Sequence, residues 1–128
     1  MKGATAMAAA SLPHDHGDAL KTILQRMPGE GAFATVADSF RHLSDPTRLR
    51  IFWILCHSEE CVTNLAAAIG MSDPATSHHL RILKKAGLAS SRRLGKEVHY
   101  TLADTKEARF VHRMIDDAFE MNCPGTGM

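Results

Sequence analysis

No stretch of the 128 residues stays apolar for anything like the roughly 18 positions that a membrane-spanning helix needs, so the chain reads as a soluble one. Excess charge is missing too. Fifteen basic side chains stand against fourteen acidic ones, and a net charge of +1 by itself points to neither a nucleic acid nor a membrane as partner. Cysteine is scarce: Cys56, Cys61 and Cys123 are an odd number in no framework spacing, which fits reduced thiols in the cytoplasm better than structural disulfides. Met1 to Ser11 is Ala/Met-rich and lacks the strongly apolar core of a secretory leader. Residues 1–16 are therefore expected to form a flexible tail, 17–121 the folded domain and 122–128 a second tail. Aromatics are few at 5%, but 45% hydrophobic and 23% charged residues is an ordinary globular balance, which excludes disorder as the dominant state. One domain of this size buries only about two-thirds of its unfolded surface, so a second copy would add useful core.

What is present is unevenly distributed. Between Ser77 and Tyr100 six bases (Arg81, Lys84, Lys85, Arg92, Arg93 and Lys96) face one acid, Glu97. From Asp104 onward the sign reverses, with Asp104, Glu107, Asp116, Asp117 and Glu120 against Lys106, Arg109 and Arg113. A basic block beside an acidic one gives the surface potential a direction.

Apolar spacing divides the chain into elements. Leu20, Ile23, Leu24 and Met27 predict a short first helix ended by Pro28-Gly29, and Phe33, Val36, Ala37, Phe40 and Leu43 predict a second. Asp45 followed by Pro46 is a cap-then-proline start for a third helix running to about His57. That helix has almost no polar face and is expected to lie mid-domain. Val62, Leu65, Ala66 and Ile69 form a further stripe stopped by Gly70, and after the turn Met71-Ser72-Asp73 another helix runs from Pro74 to Ala86, with Asp73 as its expected cap. Leu88–Arg93 and Glu97–Leu102 read as strands joined at Leu94-Gly95. A last helix carries Ala108, Val111, Ile115, Ala118 and Phe119, opened by Asp104-Thr105-Lys106-Glu107 as a D-x-x-E capping box. Nothing obvious remains for its apolar stripe to cover except a partner.

Two helices joined by a tight turn, followed by a basic hairpin, form a DNA-reading arrangement. Ser77, Arg81, Lys84 and Lys85 lie opposite Leu80 and Leu83, and the first turns of such a helix meet base edges. The candidate DNA-binding residues are Ser72, Ser77, His78, His79, Arg81, Lys84, Arg92, Arg93 and Lys96. The strings Leu43-Ser44-Asp45-Pro46-Thr47-Arg48-Leu49-Arg50-Ile51, Ser77-His78-His79-Leu80-Arg81 through Ala86-Gly87-Leu88, and Arg92-Arg93-x-Gly95-Lys96 through Tyr100-x-Leu102-x-Asp104 resemble the ArsR/SmtB family over about residues 31 to 121. The resemblance implies a mainly α, α+β winged helix-turn-helix with a small β-hairpin wing. It further implies a homodimer through first and last helices, acting as a DNA-binding transcriptional repressor that double-stranded operator DNA holds and an inducer releases, with no enzymatic step.

The inducer expected from the resemblance is a metal or metalloid ion such as Zn, Cd, Pb or As. The family's site pairs two ligands at the start of the last helix with two near its end from the other subunit; here these fall on Asp104, Lys106, Asp117 and Glu120, and the lysine ammonium has no lone pair to give a metal. Its thiolate-pair site falls on Cys61 and Thr63, again one ligand short. From spacing alone, His112, Asp116 and Glu120 at i, i+4, i+8 put imidazole and carboxylates on one face, a donor set suited to zinc. His14, Asp15, His16 and Asp18 are a further ligand set in the tail. A thiol alternative has Cys56 or Cys61 approaching Cys123, to be bridged by oxidation or by a soft metal. An effector-independent DNA- or protein-binding module is the remaining alternative. No nucleophile elbow, phosphate loop or metal-hydrolase motif favours an enzyme.

Overall fold

The computed structural model describes residues 12–122, with six helices and three strands among them. Backbone contacts divide the chain into two units, the first ending at Asp38 and the second beginning at Ser39. The first unit holds helix α1 (Ala19–Arg26) and the start of helix α2 (Glu30–His42). The Asp18 side chain makes no capping bond to α1, whose last turn closes when Met27 N–H bonds Leu24 before Pro28. Neither helix buries a residue, and Leu20, Ile23, Phe33 and Val36 are each at least half exposed.

The second unit contains the core. Helix α3 (Pro46–His57) starts where the Asp45 carboxylate accepts the Thr47 N–H at 2.8 Å, with Pro46 in the position whose missing N–H costs nothing. It buries Ile51, Phe52 and Leu55, but Trp53 is 42% exposed, so the expected apolar-all-round helix has an open side. Strand β1 (Glu60–Cys61) leads into helix α4 (Val62–Ile69), which Gly70 ends at φ 72°, a left-handed conformation costly for any residue with a Cβ. Helix α5 (Asp73–Lys85), strands β2 (Ala89–Leu94) and β3 (Glu97–Leu102), and helix α6 (Lys106–Asn122) follow.

The sheet has three antiparallel strands in the order β1-β3-β2, one more than the predicted hairpin, because Glu60 and Cys61 pair with Tyr100 and His99. Two residues of β1 carry too little periodicity to be read locally. The core gathers Ile51, Phe52 and Leu55 of α3 with Leu65, Leu80, Leu83, Leu88, Val111 and Ile115. Each such side chain contributes about 1.5–3 kcal/mol by leaving water. Two expected caps shift by one residue. Ser72, not Asp73, caps α5 by accepting the Ala75 N–H at 3.2 Å. Thr105, not Asp104, caps α6: its hydroxyl accepts the Ala108 N–H at 3.0 Å and donates to the Gly87 carbonyl at 2.7 Å. A hydroxyl bonds in both directions, so Thr105 also ties α6 to the end of α5, which a carboxylate cannot do. Among the described residues no helix is long and apolar enough to cross a membrane.

Candidate nucleic-acid interface

Helices α4 and α5 meet through the turn at Gly70, Met71 and Ser72, and one backbone bond and one side-chain bond hold the turn. The Met71 N–H bonds the Ala66 carbonyl at 3.0 Å, and the Thr63 hydroxyl donates to Asp73 at 2.9 Å across the two helices. On α5 the buried residues are Thr76, Leu80 and Leu83, at i, i+4 and i+7. Thr76, which sequence reasoning missed, is fully covered and donates to the Ser72 carbonyl at 2.9 Å, so its polarity is spent inside its own helix. His78, Arg81, Lys84 and Lys85 are exposed, Ser72 is exposed at the helix start, and Ser77 is half-buried.

His79 takes a different position. Its side chain is only 11% exposed, and Nδ1 accepts from Arg48 Nε at 3.2 Å. Accepting there requires the neutral ring, and burial, reinforced by the Arg48 charge, holds the His79 pKa below its ordinary value against the opposing pull of Asp45. Arg48 also donates to the His42 carbonyl at 3.0 Å. The Asp-Pro-Thr-Arg string thus has a local purpose: Asp45 starts α3, and Arg48 fastens the start of α3 to α5 through His79. His79 belongs to that joint rather than to the exposed face.

Beside α5, β2 and β3 pair from Ala89 with Leu102 to Leu94 with Glu97, leaving Gly95 and Lys96 as the loop. Gly95 has φ 65°, which a two-residue hairpin loop with glycine first requires. Lys84 Nζ donates to the Ser91 hydroxyl at 2.6 Å and links α5 to the hairpin. Arg93 and Lys96 are exposed at the tip. Arg92 is already engaged: its guanidinium makes two bonds to the Glu59 carboxylate, at 2.5 and 2.6 Å, and that pairing lowers the Glu59 pKa. Among the described residues, Arg81, Lys85, Arg93 and Lys96 have no carboxylate within 4.0 Å, so this surface carries free positive charge on two adjoining elements.

The predicted inducer sites fare differently. Asp104 Oδ1 accepts from Arg109 at 2.7 Å, Lys106 brings an ammonium with no lone pair, and Asp117 and Glu120 are exposed, so within one chain these four residues do not converge on a metal. Cys61 is buried with 6% exposure and Thr63 is bonded to Asp73, so a thiolate pair does not fit there either. Burial and then the Asp116 charge push the Cys56 thiol up to about 12, which keeps it protonated and poorly reactive at neutral pH. Cys123 lies outside the described residues. His14 and His16 stack with ring centres 5.9 Å apart, while Asp15 accepts the Gly17 N–H. Among the described residues one group converges: His57 at the end of α3 with His112 and Asp116 on α6, their ligand atoms within 4.8 Å of one another. Sequence spacing found the last two and named Glu120 as third, because only folding brings the end of α3 to α6.

Comparison with known proteins supplies the wider frame. The family model described as a bacterial regulatory protein, arsR family, matches residues 45–91. A transcriptional repressor SmtB homolog of Synechocystis is 42% identical over 81 residues, covering 63% of this chain and 61% of that protein. The chain therefore spans under two-thirds of the length of that relative. The HTH-type transcriptional regulator NmtR of Mycobacterium tuberculosis is 40% identical over 84 residues, 66% of this chain and 70% of that protein. Among solved structures, the homodimeric winged helix-turn-helix DNA-binding domain from Mycobacterium bovis superposes with a TM-score of 0.64 at 25% identity, over 76% of this chain and 94% of that one.

Proposed function

This chain belongs to the arsR family of bacterial regulatory proteins, and from that premise we propose that it is a cytoplasmic transcriptional repressor that binds double-stranded operator DNA as a homodimer. One observation carries the proposal: α5 turns Thr76, Leu80 and Leu83 inward and His78, Arg81, Lys84 and Lys85 outward, beside the cationic tip at Arg93 and Lys96. A helix of this kind fits the major groove, with side chains in its first turns at base edges and the wing on phosphates. His78 and Arg81 read bases in this account; Arg93 and Lys96 contact the backbone. No residue is assigned a catalytic step.

Dimerisation rests on apolar surface that one copy leaves uncovered. On α1, Leu20 and Ile23 are more than half exposed, and on α6 so is Phe110. Within the second unit, Phe119 borders an open apolar groove of about 570 Å³ with Pro46, Leu49, Arg50 and Trp53. Exposed apolar surface on this scale marks an interface, and a second copy supplies the same face. Release by an inducer follows the relatives, several of which are named for cadmium or arsenical resistance. Because neither family-type ligand set fits here, an effector-independent repressor is the second reading.

Fluorescence anisotropy with a duplex selected from a random library tests the DNA assignment over a range of salt. Arg81→Ala is expected to weaken binding about tenfold at the selected site. Lys96→Ala is expected to weaken all duplexes alike and to reduce the salt slope by about 1. Wild-type titrations for both variants overturn the proposal.

A further inference from the structure

The geometry points to a divalent-metal site inside one chain, built by His57, His112 and Asp116 between the end of α3 and the middle of α6. His57 Nδ1 donates to the Trp53 carbonyl at 2.8 Å, which leaves the Nε2 lone pair for a ligand. A backbone carbonyl on the second ring nitrogen is how metal-binding histidines are usually oriented. His112 Nε2 is shut off from solvent, and although Asp116 Oδ2 is 3.1 Å away, the two make no hydrogen bond of acceptable angle. Nitrogen and oxygen thus lie side by side without satisfying each other, as two ligands of one ion do. The His57 and His112 rings meet edge-on with centres 5.4 Å apart.

The distances suit a small ion. Around tetrahedral zinc, with bonds of about 2.0–2.1 Å, neighbouring ligand atoms are roughly 3.4 Å apart. The His112–Asp116 pair is already at 3.1 Å, and no separation among the three ligand atoms exceeds 4.8 Å. Two imidazoles and one carboxylate with a fourth, open position suit zinc or cobalt better than calcium or magnesium, which take oxygen. The site differs from the family's last-helix set: it uses neither Asp104, Asp117 nor Glu120 and needs no second subunit. Its placement also suggests regulation. Two residues beyond His57, Glu59 holds Arg92 of the hairpin, so drawing His57 toward α6 acts on the segment that anchors the wing. That regulatory role rests on the repressor reading; metal binding does not.

The full chain, reduced and metal-free, is titrated with Co(II) alone and then with Zn(II) in competition. Expected are one Co(II) per chain with tetrahedral visible absorption, and an affinity loss of at least about tenfold in each of His57→Gln, His112→Asn and Asp116→Asn. Asp117→Asn and Glu120→Gln are expected to bind as wild type. Circular dichroism checks folding, and histidine ring nitrogen resonances of wild type identify the rings that shift with Zn(II). No Co(II) or Zn(II) bound, wild-type affinity in His57→Gln, or loss in the Asp117 and Glu120 variants instead overturns the site. Zn(II) bound at His57 and His112 with DNA affinity unchanged overturns its regulatory role. A protein that takes the metal but binds no duplex refutes the repressor reading and leaves the site standing; a protein that binds the duplex but no metal does the reverse.

Discussion

The exposed face of α5 with the hairpin tip and the outer half of α6 use similar residue types to opposite effect. On α5 and the tip, Arg81, Lys85, Arg93 and Lys96 have no carboxylate partner among the described residues, and only Arg92 is paired. On α6 some polar groups are drawn together inside the chain: Arg109 pairs with Asp104, and His112 lies beside Asp116 and His57. Free charge spread along two elements suits an extended polyanion, whose binding gains from neutralising several phosphates together. Donors converging on one point suit a small ion. The difference lies in whether a side chain's partner is already within reach.

Four substitutions sharpen this contrast, beginning with the largest effect. Leu80→Ala removes a fully buried side chain behind the cationic face of α5 and is expected to cost about 2–5 kcal/mol in chemical denaturation. Below its transition, the variant should lose DNA affinity while keeping Co(II) affinity, because Leu80 backs α5 and not the His57 cluster. Equal loss of both would mean that the two surfaces are not separable. Next, Thr105→Val removes the cap of α6 and its tie to Gly87, for about 1 kcal/mol, whereas Asp104→Ala is expected to be close to neutral because its partner Arg109 is exposed. The reverse ranking in urea melts would restore Asp104 as the cap.

The smallest effect is a pH dependence at the α3–α5 joint. The His79 pKa is lowered in the fold, chiefly by burial, so the unfolded chain takes up the proton first. The stability His79 contributes is complete above its ordinary value of 6.5 and is lost as pH falls from there to the folded value. Denaturation between about pH 8 and about pH 5 should therefore show wild type losing more stability than His79→Gln. Parallel profiles would remove the neutral ring from the joint.

Much of the exposed cationic face of α5 and the hairpin was legible because its determinants are local. Helical spacing separates Leu80 and Leu83 from Arg81 and Lys84 within one element, and Gly95 marks the hairpin loop. The misreadings have physical causes. Asp73 and Asp104 looked like caps because aspartate is a good one, but the neighbouring hydroxyls of Ser72 and Thr105 sit where the N–H groups point. His79 looked like a base-reading residue because it follows His78, yet a 100° step around the helix turns it toward Arg48. Arg92 counted as free charge because Glu59, its partner, is 33 residues away in sequence.

Taken alone, the sequence determined the order of the helices and the hairpin, the polar and apolar faces of α5 and the family to which the chain belongs. These follow from periods of 3.6 and 2 and from short strings of residues, which act over a few positions. Only the tertiary structure decided which charges remain free, that Arg48 reaches His79, and that His57 meets His112 and Asp116. Those outcomes depend on side chains far apart in the chain reaching bonding distance, and packing alone sets that distance.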